Sequence, residues 1–135
     1  MLAEADMRAG SNVQARLRGQ GVAYVRFALR HPGRFRLMFR DGLNARDPEL
    51  TRQAHEAFSV LANAVRAALG LEAEEEFHVS DWPALVALWS AVHGYAHLAI
   101  AGRFDLLGGQ GRDAFIDSTL EHAIGFAVEG VIGNR

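Results

Sequence analysis

The chain has 135 residues, a length that suits one domain with a sizeable core. Half of its residues are apolar, which excludes a disordered chain, and the absence of cysteine excludes disulfides and thiolate metal sites. Its formal net charge of −2 excludes a global electrostatic attraction to nucleic acid.

Targeting signals are not visible in the sequence. The first ten residues lack the basic and apolar regions of a signal peptide, and no apolar run approaches the ~20 residues that a membrane helix needs. The sequence therefore predicts a cytoplasmic protein without a membrane segment.

The first half of the chain contains three predicted helical segments. Residues 1–10 read as the end of one helix, and Ser11 with Gln14 forms a capping-box pattern that starts the next. That helix ends before Pro32, because proline disfavours the helical conformation of the residue that precedes it. A short apolar helix over about 33–40 follows.

The second half contains three longer helices. The pair Asp47-Pro48 starts one that Gly70 ends, since Asp is a good cap and Pro suits the first helical position. Another helix runs to Gly102, and the last spans about 112–132. No segment of useful length alternates with period two, so the sequence predicts a single all-α domain of five to six helices.

The last helix has two apolar faces. One comprises Ile116, Leu120, Ala123, Ala127 and Val131, and the other comprises Phe115, Thr119, His122 and Phe126. A helix that is apolar on two sides must be covered on two sides, either by its own chain or by a second subunit. Because C2 dimers are the commonest oligomers, we expect a homodimer in which the last two helices of each chain form a four-helix bundle. The predicted interface residues are Ile116, Leu120, Ala123, Ile124, Ala127 and Val131, and the face that meets the partner is left open.

Two stretches resemble a known family. AYVRFALRHPGRFRLMF (23–39) looks like a segment of TetR-family transcriptional regulators, and LWSAVHGYAHLAIAGRFD (88–105) resembles the Trp-x3-His-Gly signature of their WHG-type C-terminal domain, here Trp89, His93 and Gly94. The resemblance implies a TetR-like C-terminal domain over residues 11–135, which binds an effector and dimerises. Residues 1–10 match the end of the helix that would link it to an N-terminal helix-turn-helix domain. DNA binding would require that helix-turn-helix, which is not in this sequence.

The resemblance and the aromatic residues together predict a pocket for a small hydrophobic or amphipathic ligand, since such sites lie between the helices of bundles. The candidate lining residues are Phe27, Phe35, Met38, Phe39, Phe58, Leu61, Leu85, Trp89 and His93. A filled core, which would leave a dimerisation module without a ligand, is the alternative.

Other chemistry has weaker support. His93 and His97 lie four residues apart on one helix face, which is half of a metal site, but no carboxylate lies between them. We therefore predict no metal and no cofactor, with a small helical metal-binding protein as the less favoured alternative. The Arg residues between Arg26 and Arg40 suit a solvated face more than a phosphate-binding one. No nucleophile or phosphate-loop pattern occurs, so no enzymatic activity is predicted.

Overall fold

A computed structural model describes residues 12–38 and 48–133, and it contains five helices in these ranges. They are α1 (Val13–Arg30), α2 (Pro32–Met38), α3 (Pro48–Ala68), α4 (Trp82–Ile100) and α5 (Arg112–Ile132). No strand occurs within the described residues, which confirms the all-α prediction. The predicted helix within residues 1–10, the residues Phe39 and Arg40 and the cap Asp47 lie outside the described ranges.

The helix ends follow the expected local chemistry, with one correction. The N-cap of α1 is Asn12, one residue after the predicted start: its Oδ1 accepts a hydrogen bond of 3.0 Å from the Ala15 amide, and Ser11 lies outside the described residues. Gly70 and Gly102 adopt positive φ angles of 81° and 78° just beyond α3 and α4. This left-handed conformation is easy only for glycine, so both residues end the helices that they follow.

Helix α1 is the centre of the domain and packs against α3, α4 and α5. Gly21 allows the closest approach. A Cβ atom on Gly21 would lie 2.7 Å from Ile124 Cγ2 and 3.1 Å from Val92 Cγ1. The backbone of α1 therefore touches α4 and α5 directly at this position, where any side chain would force the helices apart.

One hydrophobic core joins the four long helices. Its fully buried side chains include Leu17, Val25, Phe35, Leu61, Val65, Leu85, Leu88, Val92, Leu120, Ile124 and Val128. Each of these loses nearly all of its water contact, and such burial stabilises the fold by about 1.5–3 kcal/mol per large apolar side chain.

Helix α4 is apolar on all sides. Its 19 residues include no Asp, Glu or Arg, and by length and mean hydropathy of 1.2 it meets the criterion for crossing a membrane, with 28% of that window buried in the domain. A helix in the core of a soluble protein can meet the same criterion of length and hydropathy. In this chain Leu85, Leu88 and Val92 face the core, whereas Trp82, Val86 and Leu98 are exposed large apolar residues.

The two apolar faces of α5 have different environments, and this alters the expected interface. Ile116, Leu120 and Ile124 are at most 3% exposed because they pack in the chain's own core. Those three side chains offer no surface to a partner. Ala123, Ala127 and Val131 are partly exposed, whereas Phe126 on the second face is 75% exposed.

Candidate functional site

The site is built around a hydrogen-bonded row of three side chains from α1 and α4. Tyr24 Oη lies 2.7 Å from His93 Nδ1, and His93 Nε2 lies 2.8 Å from His97 Nε2. One helical turn separates the two histidines, so both project from the same face of α4. The row runs from buried Tyr24 through half-buried His93 to exposed His97, and it links the interior to the surface.

Burial keeps Tyr24 and His93 uncharged. Desolvation, helped by the neighbouring His97, lowers the pKa of His93 from 6.5 to about 4, and burial raises the pKa of the Tyr24 hydroxyl. A charge at either group would lose more hydration than its surroundings return. Tyr24 and His93 are therefore neutral hydrogen-bonding groups at neutral pH.

Aromatic rings surround the row. The Phe35 ring centroid lies 6.0 Å from that of Tyr24 in an edge-to-face arrangement, and 5.2 Å from that of His93. Trp89 lies 6.5 Å from His93 and 5.0 Å from Phe58, measured between ring centroids. Residues from α1, α2, α3 and α4 thus meet at one place.

The predicted lining residues are brought together only in part. Phe35, Phe58, Trp89 and His93 contact one another through their rings as a connected group. Leu61 and Leu85 belong to the common core, and Met38 is buried. Phe27 contacts His31 on its own helix, with the ring centroids 5.3 Å apart, and Phe39 lies outside the described residues.

Sequence reasoning missed two members of the site. Tyr24 is not among the candidate lining residues, because its bond to His93 joins residues 69 positions apart. Gln20 was not considered, although the structure buries it completely (0% exposed) and gives its amide no hydrogen-bond partner among the described residues. The sequence signal for its burial was its position at helical spacing between Leu17 and Tyr24, on the face of α1 that packs in the core.

Trp89 also has a buried polar atom beside Tyr24. Its indole Nε1 is buried, and no hydrogen bond to it meets the usual geometry within the described part of the chain. The indole nevertheless acts as a hydrogen-bond donor towards the Tyr24 hydroxyl, which lowers the pKa of that hydroxyl against the larger effect of burial. Buried polar atoms are nearly always hydrogen-bonded in native proteins, so the amide of Gln20 requires an explanation.

A separate polar cleft of about 390 Å³ lies between the end of α1 and the start of α5. Its walls comprise Arg26, Leu29, Arg30, Arg112, Asp113, Ile116 and Asp117. Three guanidinium groups face two carboxylates here, so the charges largely offset each other. None of the predicted pocket residues lies in this cleft.

The His93–His97 pair has no further metal ligands in the described residues, since no group of three or more His, Asp or Glu side chains could hold an ion there. Two imidazoles supply only half of the usual four ligands of zinc.

The fold and the site define an all-helical domain with a neutral, aromatic-walled polar site between its helices. Residues 17–123 match the sequence model of the Tetracyclin repressor-like, C-terminal domain, and the chain belongs to this family. This confirms the resemblance that the Trp89–His93–Gly94 signature indicated.

A curated relative supports the assignment. The chain is 35% identical over 83 residues to an uncharacterized HTH-type transcriptional regulator of Mycobacterium tuberculosis, a match that covers 62% of this chain and 35% of the relative. The chain thus spans about a third of the length of that protein. No solved structure matches this chain.

Proposed function

We propose that this chain is the effector-binding and dimerising part of a TetR-family regulator, and that it senses a small hydrophobic or amphipathic ligand. The observation that carries the proposal is the Tyr24–His93 hydrogen bond of 2.7 Å between walls formed by Phe35, Phe58 and Trp89. Apolar walls with a few placed polar groups are typical of small-molecule sites.

Helix α4 provides a route from the ligand to the quaternary structure. Trp89 and His93 project from it towards the site, whereas Trp82, Val86 and Leu98 are exposed on it. Because a packed helix moves as one body, a ligand that displaces Trp89 also displaces the exposed side of α4. A ligand that binds one pose of α4 more tightly would thereby shift the relative pose of two subunits.

The dimer interface that fits this structure uses the second face of α5 together with α4. Phe126 is 75% exposed. Of the interface residues predicted from the sequence, Ala123, Ala127 and Val131 are partly exposed. Exposed apolar patches of this kind are typical of protein interfaces. A four-helix bundle formed by α4 and α5 of two chains would cover them.

The wider assignment follows from the family. We propose that a helix-turn-helix domain of the regulator reads DNA, that the protein acts in the cytoplasm, and that this domain catalyses no reaction. The relative described as an HTH-type transcriptional regulator supports the first point. Catalysis has no positive support in the site, whose titratable members Tyr24 and His93 are both held neutral by burial.

A dimerisation module without a ligand is the second candidate, and the tight packing of the core favours it. Phe35, Leu61 and Leu85 are at most 1% exposed. In that case the aromatic residues act only as core, and no probe should enter among them.

Titration of the chain with N-phenyl-1-naphthylamine, a neutral dye that fluoresces in apolar sites, separates the two candidates. We expect saturable binding that Trp89→Leu weakens about tenfold, the equivalent of about 1.4 kcal/mol. Trp82→Leu is the matched control, because Trp82 is exposed and contacts Phe77, outside the aromatic group. Circular dichroism shows whether each variant is folded. Absence of saturable binding to the unmodified chain would establish the module without a ligand.

A further inference from the structure

The polar cleft between α1 and α5 has the size and the mixed lining of a small-molecule site. Its volume of about 390 Å³ lies within the range that small ligands occupy in proteins. Leu29 of α1 and Ile116 of α5 contribute apolar surface, and charged side chains from both helices line the rest. None of the aromatic rings around Trp89 lines this cleft, so it is a second location on the domain.

Two of the charges in the cleft are unpaired. Within the described part of the chain, the side chain of neither Arg26 nor Asp117 makes a hydrogen bond or an ion pair. Arg112 Nη1 lies 3.6 Å from Asp113 Oδ1, and Arg30 takes part in another interaction. The cleft therefore offers one guanidinium group on α1 and one carboxylate on α5.

The two unpaired charges act on a common neighbour, Tyr95 of α4. Its hydroxyl lies 2.8 Å from Thr119 Oγ1, and burial raises its pKa. The hydrogen bond from Thr119 and the positive charge of Arg26 oppose this increase, whereas the negative charge of Asp117 adds to it. Arg26 and Asp117 are thus both within electrostatic range of one hydroxyl group, although no ion pair within 4.0 Å joins them to each other.

A ligand can give these side chains more than they can give each other. Arg26 is half-buried, so its guanidinium loses part of its hydration without gaining a partner. A direct pair with the exposed Asp117 would contribute little, because solvent screens such pairs and both side chains lose freedom. A bound carboxylate can instead form two parallel charge-assisted hydrogen bonds to the guanidinium, and an attached apolar group can bury surface against Leu29 and Ile116.

We propose that this cleft binds a small α-amino acid with an aliphatic side chain, its carboxylate on Arg26, its ammonium group on Asp117 and its side chain against Leu29 and Ile116. A simple anion leaves Asp117 unpaired and places a second negative charge near it, and a simple amine leaves Arg26 unpaired. A molecule that carries both charges satisfies the two side chains together. The inference goes beyond the proposed sensor function and does not depend on it.

Isothermal titration calorimetry at pH 7.5 with L-leucine and two matched fragments tests the proposal. The fragment 4-methylpentanoate lacks the amino group of leucine, and 3-methylbutylamine lacks its carboxylate. We expect saturable binding of L-leucine with a Kd on the order of 1 mM or below, and at least about tenfold weaker binding of each fragment. Each fragment loses one of the two charge-assisted contacts, which causes the difference.

Two substitutions separate the contacts. Arg26→Gln and Asp117→Asn should each weaken L-leucine about tenfold, because each removes the charge that one end of the ligand contacts. Arg26→Gln should also abolish the preference for L-leucine over 3-methylbutylamine, and Asp117→Asn should abolish the preference over 4-methylpentanoate. Arg34→Gln and Glu129→Gln are the matched controls, since both residues are exposed and lie outside the cleft, and they should bind L-leucine as the unmodified chain does.

Three results would overturn this inference. The first is the absence of saturable L-leucine binding to the unmodified chain. The second is binding of 4-methylpentanoate as tight as that of L-leucine, which would make the cleft an anion site. The third is unchanged L-leucine affinity in both Arg26→Gln and Asp117→Asn, with circular dichroism showing folded variants, which would place the ligand elsewhere. Binding of the dye among the aromatic residues is measured separately, so the sensor function stands or falls independently.

Discussion

Tyr24 and His93 lie 69 positions apart in the sequence, yet their side chains form the 2.7 Å hydrogen bond on which the candidate site is built. The bond holds a neutral imidazole between a buried phenol and an exposed second imidazole. His93 therefore joins the interior of the domain to the solvent, and its protonation couples the fold to pH.

We expect the free energy of unfolding to fall as the pH decreases from 6.5 to about 4, because His93 has a pKa of about 4 in the folded chain against 6.5 for an unperturbed histidine. In this window the unfolded chain binds a proton that the folded chain does not, so acid favours unfolding. Since His93 is only half-buried, the total loss should be on the order of 1–2 kcal/mol.

Urea denaturation of the wild type and of His93→Gln at pH 7.5 and pH 5 measures this effect. The glutamine can keep a hydrogen bond to Tyr24 but cannot titrate, so the stability difference between the two pH values should be smaller in the variant. An identical pH dependence in both proteins would show that His93 is not the group responsible.

The packing of Gly21 against Ile124 predicts a large effect from a small substitution. Gly21→Ala should destabilise the domain by about 1–3 kcal/mol, because the new Cβ would lie 2.7 Å from Ile124 Cγ2 in a close-packed core. Gly33→Ala on α2 is the control, since nothing lies within 4 Å of a Cβ there and alanine is the better helix former. The melting temperatures of the two variants should shift in opposite directions. A Gly21→Ala variant that is more stable than the wild type would refute the close contact of α1 with α4 and α5 at this position.

Arg66 makes three contacts that help to hold the segment between α3 and α4. Arg66 Nε donates to the Glu75 carbonyl oxygen at 2.6 Å and its Nη1 donates to Asn63 Oδ1 at 2.8 Å, while its guanidinium lies 4.6 Å from the Phe77 ring centroid. Lysine cannot reproduce this planar fork, so Arg66→Lys should cost about 1–2 kcal/mol of stability.

Arg52→Lys provides the matched comparison for that variant. Arg52 also bonds two acidic side chains, Glu49 and Glu56, but all three residues are exposed. Exposed ion pairs contribute about 0–1 kcal/mol, so this change should have little effect on the urea midpoint. An equal loss of stability in Arg66→Lys and Arg52→Lys would mean that the Arg66 contacts stabilise the chain no more than an exposed ion pair does.

The sequence predicted more of the fold than of the candidate site. Pro32, Gly70 and Gly102 end helices through local backbone chemistry, and they were found without any tertiary information. The shared face of Trp89 and His93 follows from helical spacing in the same way. The partnership of His93 with Tyr24 depends on how α1 crosses α4, which no local pattern encodes.

The final helix shows the limit of periodicity most clearly. The sequence showed two apolar faces on α5, but the residues of neither face indicated which one would pack against the chain's own core. The structure assigns Ile116, Leu120 and Ile124 to its own core because Gly21 lets α1 approach on that side. The decisive residue lay on another helix about a hundred positions away.

The remaining exposed face of α5 leads to the last prediction, which concerns assembly. Phe126→Glu should convert the proposed homodimer into a folded monomer, because a carboxylate placed in an apolar interface would be buried without a partner. Phe126 is 75% exposed within the chain, so the substitution should leave the domain's own core intact.

Val79→Glu, at a residue that is 90% exposed between α3 and α4, is the matched control and should remain a dimer. Ile124→Arg, by contrast, should unfold the chain, since Ile124 is 1% exposed and packs on Gly21. Sedimentation velocity at micromolar concentration, combined with circular dichroism, distinguishes a folded monomer from an unfolded chain. A wild-type protein that sediments as a monomer would refute the homodimer, and a dimeric Phe126→Glu would place the interface on a different face.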